Sequence, residues 1–377
     1  MDTVMGTKIQ EQEILIEILT KLCVKSLFRF KCVSKSWKSL LTEPYFKKKH
    51  HNHAKNQPDS QKLFTGTCKN FYCSSLSPNR LLVNDIHTVP NICEPFSGFK
   101  IYCCCDALFL IEMWTMFFLW NPTTSESVVL PAIGSPEQDS TYGLGYDSTS
   151  DDYKVLRIDK AGIALDEIVA LKNGSWRKIY SPLVSPVGDG SILCSKEYLP
   201  FVNGAFHWLG VHPSHMMSLS ISDETYKTIP LPKNTRLYPQ KTVAIEVGIS
   251  VLQSMVCLFN YDEITFNLWI MKEYGVQESW IKLLTLPSNG AISIIPIYRF
   301  PDDKVLFRYE YLDELRGINM IYRTCDNQIW SVDIDPLSFV IDGFVYLESL
   351  INPREINAYS ISKTDSLGKR KREGLLE

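Results

Sequence analysis

The chain of 377 residues is 45% hydrophobic and 12% aromatic with a formal charge of −3, the make-up of a folded protein with a sizeable core rather than a disordered one. No window supplies the roughly 18 consecutive apolar residues of a membrane-spanning helix; the nearest stretch, Ala107–Trp120, is shorter and contains Glu112 and Thr115. The start of the chain lacks the basic flank, apolar run and small-residue cleavage site of a signal peptide, so a soluble protein of cytoplasm, nucleus or both is expected, with no membrane contact.

Eleven cysteines, an odd number with Cys103, Cys104 and Cys105 in a row, do not form a disulfide framework and read as free thiols of a reducing compartment. Charge is unevenly spread. Residues 1–56 hold eleven Lys/Arg and five Asp/Glu, a net +6, so the remainder carries −9. A basic head on an acidic body predicts two parts with different partners.

In chain order, the spacing first predicts a short helix over Glu11–Leu22. Ile14, Ile18 and Leu22 follow at i+4 steps with Leu15 and Leu19 beside them, and Glu13 and Glu17 stay outside the stripe. Ser26 can cap a second helix carrying Leu27, Phe28 and Phe30; Ser34 can cap a third with Trp37, Leu40 and Leu41. Pro44 ends that helix and opens a last piece with Tyr45 and Phe46. So small a module cannot bury much surface alone, which predicts a partner over its exposed stripe.

Glu17-Ile18-Leu19, Leu22, Val24-Lys25-Ser26-Leu27, Arg29 to Trp37 and Leu40 together resemble the F-box of plant F-box proteins. The resemblance implies an F-box over residues 8–50 that binds an acidic Skp-type adaptor and, through it, a cullin. It places Ile14, Ile18, Leu19, Leu22, Val24, Lys25, Leu27 and Val33 at or beneath that interface, with Trp37 and Leu40 in the F-box core. The pattern's two usual prolines are replaced by Gln10-Glu11 and Cys23. At roughly 0.4–1 kcal/mol per site, their loss weakens docking by about 1–2 kcal/mol.

Residues 51–62 read as a polar linker. His50, His51, His53 and Cys68 lack the paired spacing of a metal site, so no metal is expected. From residue 63 to about 360 the chain consists of short apolar runs between turn residues, from Lys100–Cys105 and Leu108–Met113 through to Gln328–Asp333 and Phe339–Gly343. A unit of strand, turn and short closing strand recurs at roughly the 50-residue period of a kelch-type blade: Leu119–Pro131, Ala170–Ile179, Leu219–Pro230, Leu268–Leu284 and Trp330–Ile341. The expected fold is therefore mainly β with a small α-helical N-terminal module: a kelch-like β-propeller of five or six blades, with a β-sandwich as the alternative.

Leu119–Thr124, Gly143–Asp147, Asp151–Val155 and Phe201–Leu209 resemble the F-box-associated domain of plant F-box proteins, including those of the S-locus type. Nothing assembles into a catalytic set. Gly143-Leu144-Gly145 lacks the third glycine, helix and lysine of a phosphate loop and reads as a turn within a blade. His207 has no identifiable nucleophile or acid partner and reads as a partly buried strand histidine with a satisfied ring nitrogen. The basic head lacks aromatic interleaving, so no nucleic-acid partner is expected. Lys369, Arg370, Lys371 and Arg372 lie in a basic tail, residues 361–377, that fits either a nuclear-import signal or a plain solvated terminus.

The two resemblances imply a non-catalytic substrate receptor of a Skp–cullin–F-box (SCF) ubiquitin ligase, without cofactor, that presents a protein substrate for ubiquitination and proteasomal degradation. The alternatives are recognition of a self-incompatibility ribonuclease and a ligase-independent scaffold. Substrate contact is expected on inter-blade loops, with Ser185–Ser195, Leu209–His215 and Tyr311–Ile318 as candidates.

Overall fold

The computed structural model describes residues 12–356 apart from 58–59, 68–70, 77–86, 90–98, 114, 133–139, 160–164, 181–197, 211–214, 234–245, 263, 289, 312–315, 324–327 and 333–339. Four helices come first: α1 over residues 12–20, α2 Val24–Phe30, α3 Lys35–Thr42 and α4 Pro44–Lys55. Ser34 stands in extended backbone before α3, and its hydroxyl accepts the Trp37 N–H at 3.2 Å. Pro44 fills the first turn of α4, where its missing N–H costs nothing. Leu19, Val24, Leu27, Leu40, Leu41 and Phe46 close into a core with Leu350 from the far end of the chain.

The polar segment expected to link the two parts is structured up to Lys55. Helix α4 runs through it with His50, His51 and Ala54 buried, and the first strand starts at Gln61. The polarity that suggested a linker serves instead to satisfy partners on the body.

Among the described residues the body is strand and turn, with one short 3-10 helix at Gln277–Ser279. The chain enters it through β1 Gln61–Thr67, β2 Phe71–Ser75 and β3 His87–Val89. Two four-stranded sheets follow: β4 Phe99–Cys105, β5 Leu108–Met113, β6 Met116–Asn121 and β7 Glu126–Val129; then β8 Ser140–Asp147, β9 Asp152–Asp159, β10 Asp166–Ala170 and β11 Ser175–Ile179. Next are β12 Phe201–Val202, β13 Ala205–Leu209, β14 His215–Ser220 and β15 Tyr226–Pro230, then β16 Glu246–Leu252, β17 Met255–Tyr261, β18 Thr265–Met271 and β19 Trp280–Pro287. Last come β20 Ser293–Arg299, β21 Lys304–Tyr311, β22 Arg316–Arg323, β23 Gln328–Val332 and β24 Val340–Leu347, before a short helix, α5 Pro353–Ile356.

Hydrogen bonding groups these strands into four four-stranded sheets and one eight-stranded sheet. The large sheet is two four-stranded units, β20 to β23 and β24-β1-β2-β3, joined at Gly317↔Val340. The first strands touch in a closed circuit, β24 to β4, β4 to β8, β8 to β12 and β13, β13 to β16, β16 to β20 and β20 to β24. Among the described residues the propeller thus has five hydrogen-bonded sheets built from six four-stranded units, within the expected five or six.

Closure differs from the sequence reading. Strand β1 pairs antiparallel with β24 from Gln61↔Leu347 to Thr67↔Val340, so the start of the body completes the sheet begun by its end. Of the stretch Phe339–Gly343, read as the closing strand of the fifth repeat, Phe339 lies outside the described residues and Val340–Gly343 instead opens this last unit; the closing strand is β23. Gly143 and Gly145 lie inside β8 rather than in a turn. A Cβ at either would stand 2.6 Å from the ring of Phe206 or Phe201, so both glycines permit close approach of the neighbouring unit.

Candidate functional site

Two surfaces of the helical module serve different ends. One carries exposed apolar side chains. Ile14 and Ile18, one turn apart on α1, are 51% and 55% exposed, and Val33 between α2 and α3 is 63% exposed. Tyr45, which the sequence reading did not assign to this surface, is equally open at 64%. Lys25 is exposed and Leu22 half-buried, whereas Leu19, Val24 and Leu27 lie beneath, in the module's core. Trp37 is half-buried with its ring edge-on to Phe30, centroids 5.3 Å apart, and Leu40 is buried. The residues named from the sequence thus divide into an outward set and a set that shapes the helices supporting it.

The other surface is the seat on the propeller. It lies over the turns that join the first and second strands of neighbouring units, which we call the near face. Asp106, in the β4–β5 turn with φ 57°, is the anchor. Lys55 Nζ stands 2.9 Å and His51 Nε2 3.3 Å from its Oδ1, and the Tyr153 hydroxyl donates to its Oδ2 at 2.9 Å. Burial pushes the Asp106 carboxyl up, but His51 and Lys55 outweigh it and hold the group below the usual carboxylate range. Lys48 pairs with Asp151 at 2.9 Å across the β8–β9 turn, and Lys47 with Glu355 of α5 at 2.6 Å. The His50 ring nitrogen Nε2 lies 2.9 Å from Leu22 O, tying α4 back to the end of α1, and burial lowers its pKa.

The chain's far end is clamped by Asn121. Its Nδ2 donates to Ser349 O at 3.1 Å and Ile351 O at 2.8 Å, while its Oδ1 accepts the Thr123 N–H at 2.9 Å. The Asn-Pro-Thr-Thr stretch therefore fixes the segment after β24 that carries Leu350 into the helical core.

A central cavity of ≈ 900 Å³ runs between the first strands of all six units. It does not hold His207, which is fully buried in β13 with Nε2 2.7 Å from the Tyr274 hydroxyl; burial lowers its pKa to about 4. The seven cysteines described carry free thiols, and Cys104 and Cys257 have theirs pushed up to about 12 by burial. Among the described residues no His/Cys/Asp/Glu group could hold a metal, and no helix is long and apolar enough to cross a membrane. Ser185–Ser195 and Lys369–Arg372 fall outside the described residues, as do the middles of the other two candidate loops.

Comparison with known proteins agrees with both parts. A family model described as an F-box domain matches residues 12–49, and one described as an F-box associated beta propeller domain matches residues 77–353. An F-box/kelch-repeat protein of Arabidopsis thaliana is 26% identical over 369 residues, covering 91% of this chain and 96% of the relative. The F-box protein CPR1 of the same plant is 25% identical over 308 residues, 74% of this chain and 73% of the relative.

Proposed function

The chain belongs to the F-box proteins that carry an F-box-associated β-propeller, and from that premise we propose that it is a non-catalytic substrate receptor of an SCF-type ubiquitin ligase. The helical module binds a Skp-type adaptor, which brings a cullin. The propeller holds a protein substrate near the ubiquitin-loaded enzyme, raising its effective concentration so that it is ubiquitinated and degraded. The observation that carries this reading is the outward face of the module: Ile14, Ile18 and Val33 stay uncovered although the opposite side is sealed against the body. A free monomer gains nothing from leaving large apolar side chains of so small a module in water. The basic head favours an acidic adaptor through steering.

The test is capture of full-length protein by a purified Skp-type adaptor. Ile18→Asp and Val33→Asp alter exposed positions and leave the module's core intact, so the fold survives. Each is expected to weaken capture by tenfold or more, about 1.4 kcal/mol. Full capture of the double variant would sink the assignment of this face.

A further inference from the structure

The junction between α2 and α3 holds an open hydroxyl next to Val33 of the proposed adaptor contact. Cys32, Val33, Ser34, Lys35 and Ser36 are all exposed, five residues in a row, and Ser34 stands in extended backbone at φ −157° and ψ 162°. Of the four serines in residues 12–55, all described, Ser26, Ser36 and Ser39 lie within helices and Ser34 alone does not. Its Oγ accepts the Trp37 N–H at 3.2 Å and lies 2.9 Å from Ser36 Oγ, which leaves it at the surface. The flanking charge has one sign. Arg29 and Lys31 precede Ser34 by five and three positions, and Lys35 and Lys38 follow by one and four. Residues 18–42 contain six Lys/Arg and no Asp/Glu. Kinases choose acceptors by such charge patterns, and this one fits an acidic substrate groove.

We propose that Ser34 is a phosphorylation site for a basophilic serine kinase and that its phosphate releases the adaptor. The γ-phosphoryl group of ATP passes to Ser34 Oγ: the new P–O bond forms as the bond to the β-phosphate oxygen breaks, ADP leaves, and the hydroxyl proton goes to the kinase's carboxylate base. The product carries about −2 charge beside Val33, which is 63% exposed. Lys35 and the N-terminus of α3 favour that charge within the module, whereas an acidic adaptor is repelled by it. Phosphate therefore supports the free module while weakening its docking, two opposite effects that a merely structural serine does not produce. The proposal rests on the substrate-receptor function and adds its regulation. An adaptor seated over Val33 also covers Ser34, so kinase and adaptor compete for one surface.

The full chain is incubated with ATP, Mg²⁺ and a purified basophilic serine kinase, and the phosphate is mapped by mass spectrometry. Ser34 is expected to carry it. Replacing the exposed Arg29 and Lys35 together by alanine is expected to slow the reaction at least about tenfold. Phosphate at other residues only, or an unchanged rate in that double variant, overturns the assignment. Two variants then separate charge from capping, since asparagine and aspartate both cap a helix well. Ser34→Asn is expected to keep adaptor capture, and Ser34→Asp to weaken it at least about fivefold while melting no lower than Ser34→Asn. Equal capture by the two, or a lower melting temperature for Ser34→Asp, overturns the switch. No capture of the unmodified chain removes the ligase reading and the switch together, whereas equal capture by the two variants removes the switch alone.

Discussion

Cys23 occupies the position where the F-box pattern has its second proline, and its backbone already has proline's geometry: φ −65° and ψ 152°, just before α2. The side chain contributes a 3.2 Å contact with the Ser26 hydroxyl at an exposed site. Cys23→Pro is therefore expected to stabilise the helical module by about 0.4–1 kcal/mol, chiefly by restricting the unfolded chain. Chemical denaturation and adaptor affinity read the effect, and a destabilised variant would show that the Cys23 N–H or the preceding residue resists the ring. The glycines of β8 illustrate the opposite case at this scale. Their spacing was legible and their purpose was not, because the rings of Phe201 and Phe206 that require them come from the next unit.

At the scale of elements, the decisive one is α4. Read alone, Pro44–Lys55 is a basic helix with three histidines. In place, it is a strut whose Lys47, Lys48, His51 and Lys55 reach three separate acidic partners. Asp106→Asn keeps the left-handed turn, which asparagine tolerates, and removes the charge that His51 and Lys55 face. It is expected to weaken the seat by about 1.5–3 kcal/mol, the range for hydrogen bonds to a charged group. Hydrogen exchange would show lost protection in α4 with the strands β16 to β19 unaffected; unchanged exchange in α4 would mean the apolar contacts around Leu350 hold the helices by themselves. The sign with pH follows. Asp106 has a lowered pKa in the folded state, so its contribution is present above the ordinary carboxylate range and is lost as pH falls through the folded value. His50, also lowered, favours the neutral ring, so acidification below its ordinary pKa of 6.5 works against the folded module in the same direction.

Over the whole molecule, the ring closes through a strand from each end of the body, and both ends also serve the helices. Strand β1 leaves the end of α4 and pairs with β24, and the segment after β24 delivers Leu350 to the helical core and Glu355 to Lys47. The helical module and the propeller are therefore built as one piece. Deleting Gln61–Thr67 would leave β24 with an unpaired edge inside the ring, a template for aggregation. The expected outcome is loss of a single cooperative thermal transition, seen by calorimetry and accompanied by aggregation. A deletion variant that melts like the intact chain would show that closure is dispensable.

The helices, the Ser34 cap and the repeating β units were determined by the sequence itself, because each depends on neighbours a few residues away: Ser34 three residues before the Trp37 N–H, or turn residues between adjoining strands. Ser26, expected to cap the second helix, instead lies inside α2, which starts at Val24 behind Cys23 with no side-chain cap. Even the Asn121 motif announced its unit. Tertiary structure alone decided which apolar residues stay outside. Ile18 and Leu19 are neighbours of equal hydrophobicity, and only the packing of α1 on α2 and α4 exposes one and buries the other. It also decided that a polar histidine-rich stretch becomes a buried strut and that the first strand completes the last sheet. Those outcomes depend on partners from distant parts of the chain, which local spacing does not encode.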